Sequence, residues 1–554
     1  MINITYIIDN KKVNINDSDS NLVIETFKEN NRETIKVKAL NDLVLNYASK
    51  MLDVKFSDDS KFFLNGYQSW TDTKECYLTE YEKIARRAKR FFKRFKKNDT
   101  FNKTTDLLLN RFAFDRYGDV LSYDYDKNKL HGYDIFYIKG EKEFFSYNYN
   151  YKNVYLVYEV LRKEKKINLV SDIKKLHLKK GEEFTLFDYS LFDNYNDGLK
   201  GLYELYPLKN AEKIFGYTSW YNYYQNINES IILRDLDGLD NRFNLFQIDD
   251  GYETFVGDWL DIDKNKFPNG FEAIINKIHE KGYKAGIWLA PFVAEEKSKL
   301  FKDHKELFKR DKKGNLIKAG GNWSGFYVLD TENKDTLAYI EKCLKYYMDL
   351  GFDFFKLDFL YAVTLPRYYS QTKAQATEKA YKFLRDVLKD KLVLGCGAII
   401  SISSSYFDYL RVGPDVSLKF DDVWFMRLAH RERISTKVTI QNTIYRSIFN
   451  KHLFYNDPDV FLLRSDNIEL NNKQKEALLT INALFGNVLM TSDNIANYDT
   501  NTKALLDIAL KLFYNAKEIK YERDKDYIHI EYKINQRIER FTYYTMKGDI
   551  INGW

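Results

Sequence analysis

Two short stretches of the chain hold residues that could do nucleophilic and acid–base work: FFKLDF at 354–359 and RVGPD at 411–415. Each delivers one aspartate with a cation nearby, Lys356 two residues before Asp358 and Arg411 four residues before Asp415. Two carboxylates on neighbouring strand ends are the minimum equipment for cleaving a glycosidic bond, one to attack and one to move the leaving oxygen's proton. In an extended 352–359 the side chains alternate, so Lys356 and Asp358 share a face. An ammonium beside Asp358 would favour the ionised carboxylate and lower its pKa, which suits a nucleophile. A proton donor needs an apolar or anionic setting, and the charge on Asp358 would supply part of that for Asp415. Taken alone, the first pair also reads as a structural ion pair and Asp415 as a helix N-cap.

Other strand ends add polar and aromatic candidates. Asp249 and Asp250 precede Gly251 and could accept hydrogen bonds from vicinal hydroxyls, cap a turn or ligate a metal. Trp288, before Leu289-Ala290-Pro291, could offer an apolar face to a sugar or fill a core, as could Trp220 and Tyr217. Trp70, in NGYQSW at 65–70, sits in a polar loop that could reach over a barrel mouth.

The elements that must position these residues are legible as a pattern. Candidate strands at 214–220, 243–250, 284–292, 352–359, 391–398, 409–415, 453–459 and 487–493 alternate with amphipathic segments such as 271–281 and 334–350. Gly282 and Gly351 stand where helix C-terminal glycines belong. Eight strands alternating with helices predict an α/β fold, a (β/α)8 TIM barrel with its site at the C-terminal strand ends. Asp249, Asp250, Lys356, Asp358, Asp415, Asp457 and Asp493 all fall at that end. Residues 1–195 read as short alternating strands with turn signals, an N-terminal β-sandwich domain. Residues 196–515 form the barrel, and 516–554 give a small C-terminal β domain of two or three strands.

Composition excludes several classes. No run of about 20 apolar residues exists, so no membrane span is expected. The first residues lack a basic start followed by an apolar core, so no signal peptide is expected. Cys76, Cys343 and Cys396 are far apart and odd in number, which fits a reducing, cytoplasmic setting better than a disulfide framework. The 7 histidines show no metal-binding spacing, so neither metal nor cofactor is expected. A net charge of +6 is too small to argue for nucleic acid. The one basic run, 86–97, reads as a solvated segment rather than an anionic-surface binder. The 44 Tyr and 40 Phe fit both a compositional bias and aromatic-lined sugar sites. A homo-oligomer is compatible with all of this.

The set FQIDDGY (246–252), GIWLAPF (286–292), FFKLDFLY (354–361), RVGPD (411–415) and NDPD (456–459), with the N-terminal NGYQSW, resembles the retaining α-galactosidases of glycoside hydrolase family 36. The resemblance runs along the whole chain and implies an exo-acting enzyme on terminal α-galactosides. It implies Asp358 as nucleophile and Asp415 as general acid/base, with their carboxyl groups about 5–5.5 Å apart. It further implies that Asp249 and Asp250 hold O4 and O6 of galactose and Lys356 the O3/O4 edge. Arg411 would lie beside the nucleophile on the O2 side, with Cys396 and Gly397 lining it. Trp288 would stack on the ring and Trp70 would close the pocket. Ala398-Ile399-Ile400 and the stretch after Asp415, Val416 to Phe420, depart from the family's pattern. An α-N-acetylgalactosaminidase or a transglycosylase would share the same pair of aspartates, whereas a non-catalytic carbohydrate-binding protein would lack one of them.

Overall fold

Eight strand positions, all parallel, ring the centre of the molecule. In chain order they are β1 (Ile214–Thr218), β2 (Leu245–Ile248), β3 (Lys284–Leu289), β4 (Phe354–Leu357), β5 (Leu392–Gly395), β6 (Tyr409–Arg411), β7 (Tyr455–Asp457) and β8 (Val488–Thr491). The computed structural model describes residues 1–80, 116–119, 123, 126, 128–422 and 431–552. The basic run 86–97 lies outside the described residues.

The seventh position is broken in a way that matters for the site. Tyr455–Asp457 pairs with β6, while Val460–Phe461 pairs with β8. Between them Pro458 has no N–H to give to a ladder and Asp459 takes a left-handed φ of 73°. The two halves are the two ends of the sheet, so the ring closes through this break. The other strands end earlier than their apolar runs suggest. Asp249, Asp250, Asp358, Cys396 and Asp415 all lie just past the last paired residue, where the chain turns off the sheet and its side chains are released to the rim.

The helices follow from pattern and caps. The helix α1 (Lys334–Asp349) buries Ile340, Cys343, Leu344 and Tyr347, the 3.6-residue stripe expected of a barrel helix. Gly351 follows it with φ 103°, a conformation that a side chain would strain. The helix α2 (Lys373–Leu388) opens on a capping box between Thr372 and Gln375, and α3 (Asn472–Phe485) on one between Asn471 and Gln474.

The N-terminal region folds into antiparallel sheets of seven, four and three strands around their own core. Its strand Arg32–Ala39 shows the cause, with Glu33, Ile35, Val37 and Ala39 buried in strict alternation. The C-terminal sheet is a four-stranded antiparallel meander over Lys517–Asp524, Tyr527–Ile534, Arg537–Tyr544 and Asp549–Asn552. The first of these largely alternates exposed and half-buried positions and carries six charges in eight residues, so its apolar signal is too weak to predict.

Candidate active site

Asp358 follows β4 directly. Its backbone N–H still donates to Leu289 O (2.8 Å), but the next residue, Phe359, has a left-handed φ of 54° and turns the chain sharply away. A bulky residue rarely adopts this conformation, and here it aims the carboxylate into the barrel mouth. Asp358 is buried, accepting from Trp288 Nε1 (3.0 Å) through Oδ2 and from Phe359 N (2.7 Å) through Oδ1. Trp288 is itself buried and lines the cavity, so its indole both walls the site and fixes Asp358.

The direct partner of Lys356 differs from the expectation. Its ammonium pairs with Asp249 Oδ2 at 2.9 Å rather than with Asp358. Asp249 follows β2, two strands from β4 in the ring, and the buried Lys356 reaches it there. Burial opposes the Lys356 charge, but Asp249, with Cys396 and Asp358 behind it, lifts its pKa above the ordinary lysine value. For Asp358 the balance also differs from the expected lowering. Burial pushes its pKa up, Lys356 pulls against this, and the charge of Asp415 adds to the rise, for a net upward shift. Asp249 is held by many donors: Gln247 Nε2 (2.7 Å) and Thr218 Oγ1 (3.2 Å) join Lys356 on Oδ2, and Asp250 N reaches Oδ1 (3.0 Å).

Arg411, at the end of β6, is a hub for three carboxylates. Its guanidinium meets Asp415 Oδ1 at 2.9 Å, Asp457 Oδ2 at 3.0 Å and Asp459 Oδ1 at 2.9 Å. The break in strand seven turns Asp457 and Asp459 toward one guanidinium. Burial lifts the Asp459 pKa to about 7 despite Arg411, and Tyr221 donates to its Oδ2. Asp415 is the one member of this cluster that keeps access to the cavity, with about a third of its side chain exposed. Asp493, also at a strand end, is spent on Arg464 (2.8 Å) and on backbone N–H groups, away from the cavity.

The loop of Trp70 crosses from the N-terminal region to the barrel mouth and is stapled there. Arg446, fully buried, donates to Ser69 O, Val412 O and Gln68 O. Ser69 N donates to Ala398 O (2.8 Å), and Ala398 N to Ser69 Oγ (3.1 Å). Trp70 Nε1 thereby reaches Cys396 Sγ at 3.3 Å. At Gly397, with φ 57°, an added Cβ would stand 3.0 Å from the Trp70 ring, so the indole lies flush on the strand-five turn. Cys396 and Gly397 support Trp70 rather than lining the cavity. Trp220 lines the cavity, whereas Tyr217 is buried in the wall, donating to Asp235 (2.6 Å).

The enclosed space is about 190 Å³. That is on the scale of a single sugar ring. Trp70, Asp249, Asp250, Lys356, Asp358 and Asp415 all face it. Sequence reasoning missed Trp323, whose Nε1 donates to Asp250 Oδ2 (2.9 Å). It lies in a small three-stranded insertion after β3, carries a left-handed φ of 53°, and packs on Phe359 at 5.1 Å between ring centroids. The glycines on either side of it, Gly320-Gly321 and Gly325, were the available signal. Among the described residues no group of His, Cys, Asp or Glu could hold a metal, and no helix is long and apolar enough to cross a membrane.

Glu253 was missed as well. It is buried beside Asp250, and burial together with the Asp250 charge raises its pKa well above the glutamate range. Burial and the neighbouring Asp249 charge raise the Asp250 pKa as well, although hydrogen bonds from Glu253, Gln225 and Trp323 oppose this. A raised native pKa means that this stability is whole below the ordinary glutamate value and drains away as pH climbs through the native one. Glu253→Gln removes the drain. The Tm curves of variant and wild type are expected to meet in acid and part toward alkaline pH, with the variant the more stable. A gap independent of pH would show that the native Glu253 pKa is not raised.

The fold is a parallel barrel with two aspartates at its C-terminal rim facing a tryptophan-walled cavity, an arrangement that cleavage of a glycosidic bond can use. Residues 210–394, which run from the first barrel strand into the fifth, match the model of the melibiase family. The chain is 31% identical over 147 residues to the α-xylosidase XylQ of Lactiplantibacillus pentosus, covering 24% of this chain and 18% of that protein. It is 31% identical over 104 residues to α-galactosidase 1 of Pediococcus pentosaceus, covering 17% and 14%. The matched stretches thus span less than a fifth of either relative. The α-galactosidase of Thermus thermophilus, solved with p-nitrophenyl α-D-galactopyranoside, superposes with a TM-score of 0.69 at 21% identity, over 93% of this chain and 98% of that one.

Proposed function

We propose that the protein is a retaining, exo-acting α-galactosidase that removes terminal α-linked galactose from oligosaccharides. The observation that carries this reading is that Asp358 and Asp415 face one sugar-sized cavity whose other polar walls are Asp249, Asp250 and Lys356. In this reading Asp415 protonates the leaving oxygen while Asp358 attacks C1, and water then releases the β-galactosyl-enzyme with Asp415 as base. Asp249 and Asp250 accept from the sugar's hydroxyls, and Lys356 donates. Trp288 orients Asp358 at least as much as it stacks on the ring. The three free, buried cysteines support a reducing, cytoplasmic setting.

A reading as an α-N-acetylgalactosaminidase needs room beside C2. The close approach of Trp70 to Gly397 speaks for the smaller substituent. The test is hydrolysis of the p-nitrophenyl α-glycosides of galactose, N-acetylgalactosamine and xylose, with the anomer of released sugar followed by NMR. The galactoside is expected to lead by at least about 100-fold in kcat/KM, since a clash or an unpaired polar wall costs several kcal/mol. Galactose should appear first as the α-anomer. A leading xyloside or N-acetylgalactosaminide, or a β-anomer, would overturn the corresponding part.

A further inference from the structure

Behind the Trp323 loop lies a second, larger cleft of about 1430 Å³. The two spaces share a wall: Trp323 lines both, its neighbour Asn322 faces the sugar cavity and Gly321 the cleft. On the N-terminal side the same holds for Tyr117 and Arg116, and Tyr117 Oη donates to Asn322 Oδ1 at 2.7 Å. A substrate seated in the cavity and extended over Trp323 therefore enters the cleft.

The cleft is strongly basic in a chain whose overall charge is only +6. Arg310, Lys312, Lys313, Lys318 and Arg367 line it together with Arg116, against two carboxylates, Glu296 and Asp311. Asp311 is already spent on its own turn, accepting from Lys313 N, Asn315 N and Asn315 Nδ2 at 2.8, 2.9 and 3.2 Å. Lys312 lies over the Tyr369 ring at 3.9 Å, which places its ammonium at the cleft wall. Lys318 is half-buried beside Arg116, and burial and that neighbour lower its pKa although Glu296 opposes them. Like charges gathered in a concave site concentrate the field and draw an anion.

We propose that this cleft binds an anionic ester on the substrate's leaving group, so that the protein prefers α-galactosides whose aglycone sugar carries a phosphate. The inference rests on the galactosidase reading and names its substrate class. The phosphate takes no part in the reaction and adds binding beyond the scissile bond. Neutral galactosides still enter the cavity but leave the cleft empty.

The test compares kcat/KM for melibiose and for melibiose phosphorylated on its glucose, in wild type and in the Lys318→Ala/Arg367→Ala double variant. In wild type at low salt the phosphorylated sugar is expected to lead by about tenfold or more, and the lead to shrink as salt screens the cleft. In the double variant the ratio should fall toward one, with neutral melibiose as the internal reference. Inorganic phosphate should compete with the phosphorylated sugar alone. Equal values in wild type, or a lead that survives in the double variant, would overturn the proposal. So would free phosphate that alters turnover of both sugars alike, because the cleft would then serve a separate anion. If neither sugar nor the nitrophenyl galactoside is cleaved, the galactosidase reading falls and takes this inference with it.

Discussion

Asp358→Asn is expected to leave a folded protein whose turnover of nitrophenyl α-galactoside drops on the order of 10,000-fold, the scale seen when a nucleophile is removed from an otherwise intact site. The amide oxygen can accept from only one of the two donors that Asp358 engages, Trp288 Nε1 or Phe359 N, and its NH2 faces the other, so the variant keeps the shape of the carboxylate but gives up one hydrogen bond. Relief of a buried charge offsets that lost hydrogen bond, so stability should hold. Burial and Asp415 raise the Asp358 pKa, so the native state loses stability as pH climbs through that value, and a neutral amide escapes the loss. A catalytic role thus predicts low activity with an unchanged Tm at neutral pH. A structural role predicts the opposite pairing. The smaller variant Asp358→Gly opens a space in which azide can attack from the nucleophile's side, and the product is then β-galactosyl azide. Wild-type rates in Asp358→Asn would remove the assignment.

The second large effect is at Asp415. Asp415→Ala should lower turnover of melibiose by about 100- to 10,000-fold, the usual worth of a positioned proton donor. The loss should depend on the leaving group. A sugar alkoxide leaves poorly without a proton and suffers fully, whereas an activated nitrophenolate needs little help. Azide added to this variant intercepts the galactosyl-enzyme from the opposite side and gives α-galactosyl azide. The two azide anomers therefore distinguish the two carboxylates in the same assay. The Arg411 hub gives this prediction a structural reading too. Removing Asp415 leaves Arg411 paired with Asp457 and Asp459, so no guanidinium is stranded and the variant should fold. A loss equal for both leaving groups would mean that Asp415 acts by placing Arg411 instead.

The legible parts of the molecule share a cause. The barrel strands were visible because a strand buried on both faces must be nearly all apolar, and a charged residue in such a run stands out. Lys356, Asp358 and Asp415 were found in this way. The C-terminal rim was visible because polar residues gathered at one end of every run. Trp323, marked only by its flanking glycines, and Glu253 are hard to find for the converse reason. Neither interrupts an apolar run, and each acquires its place through an insertion or a turn whose path depends on contacts distant in sequence.

The partners of the charges were not legible either. Sequence proximity suggested Lys356 with Asp358, but curvature of the barrel gives the ammonium to Asp249, 107 positions earlier. The sequence by itself determined the strand order, the rim and the two aspartates, because periodicity and residue type are local properties of the chain. Only the tertiary structure decided which carboxylate each cation holds, how Trp70 comes to lie on Gly397, and that a basic cleft adjoins the sugar cavity. Those depend on the distance and burial of groups that meet only when the barrel closes, and electrostatic interactions are set by both.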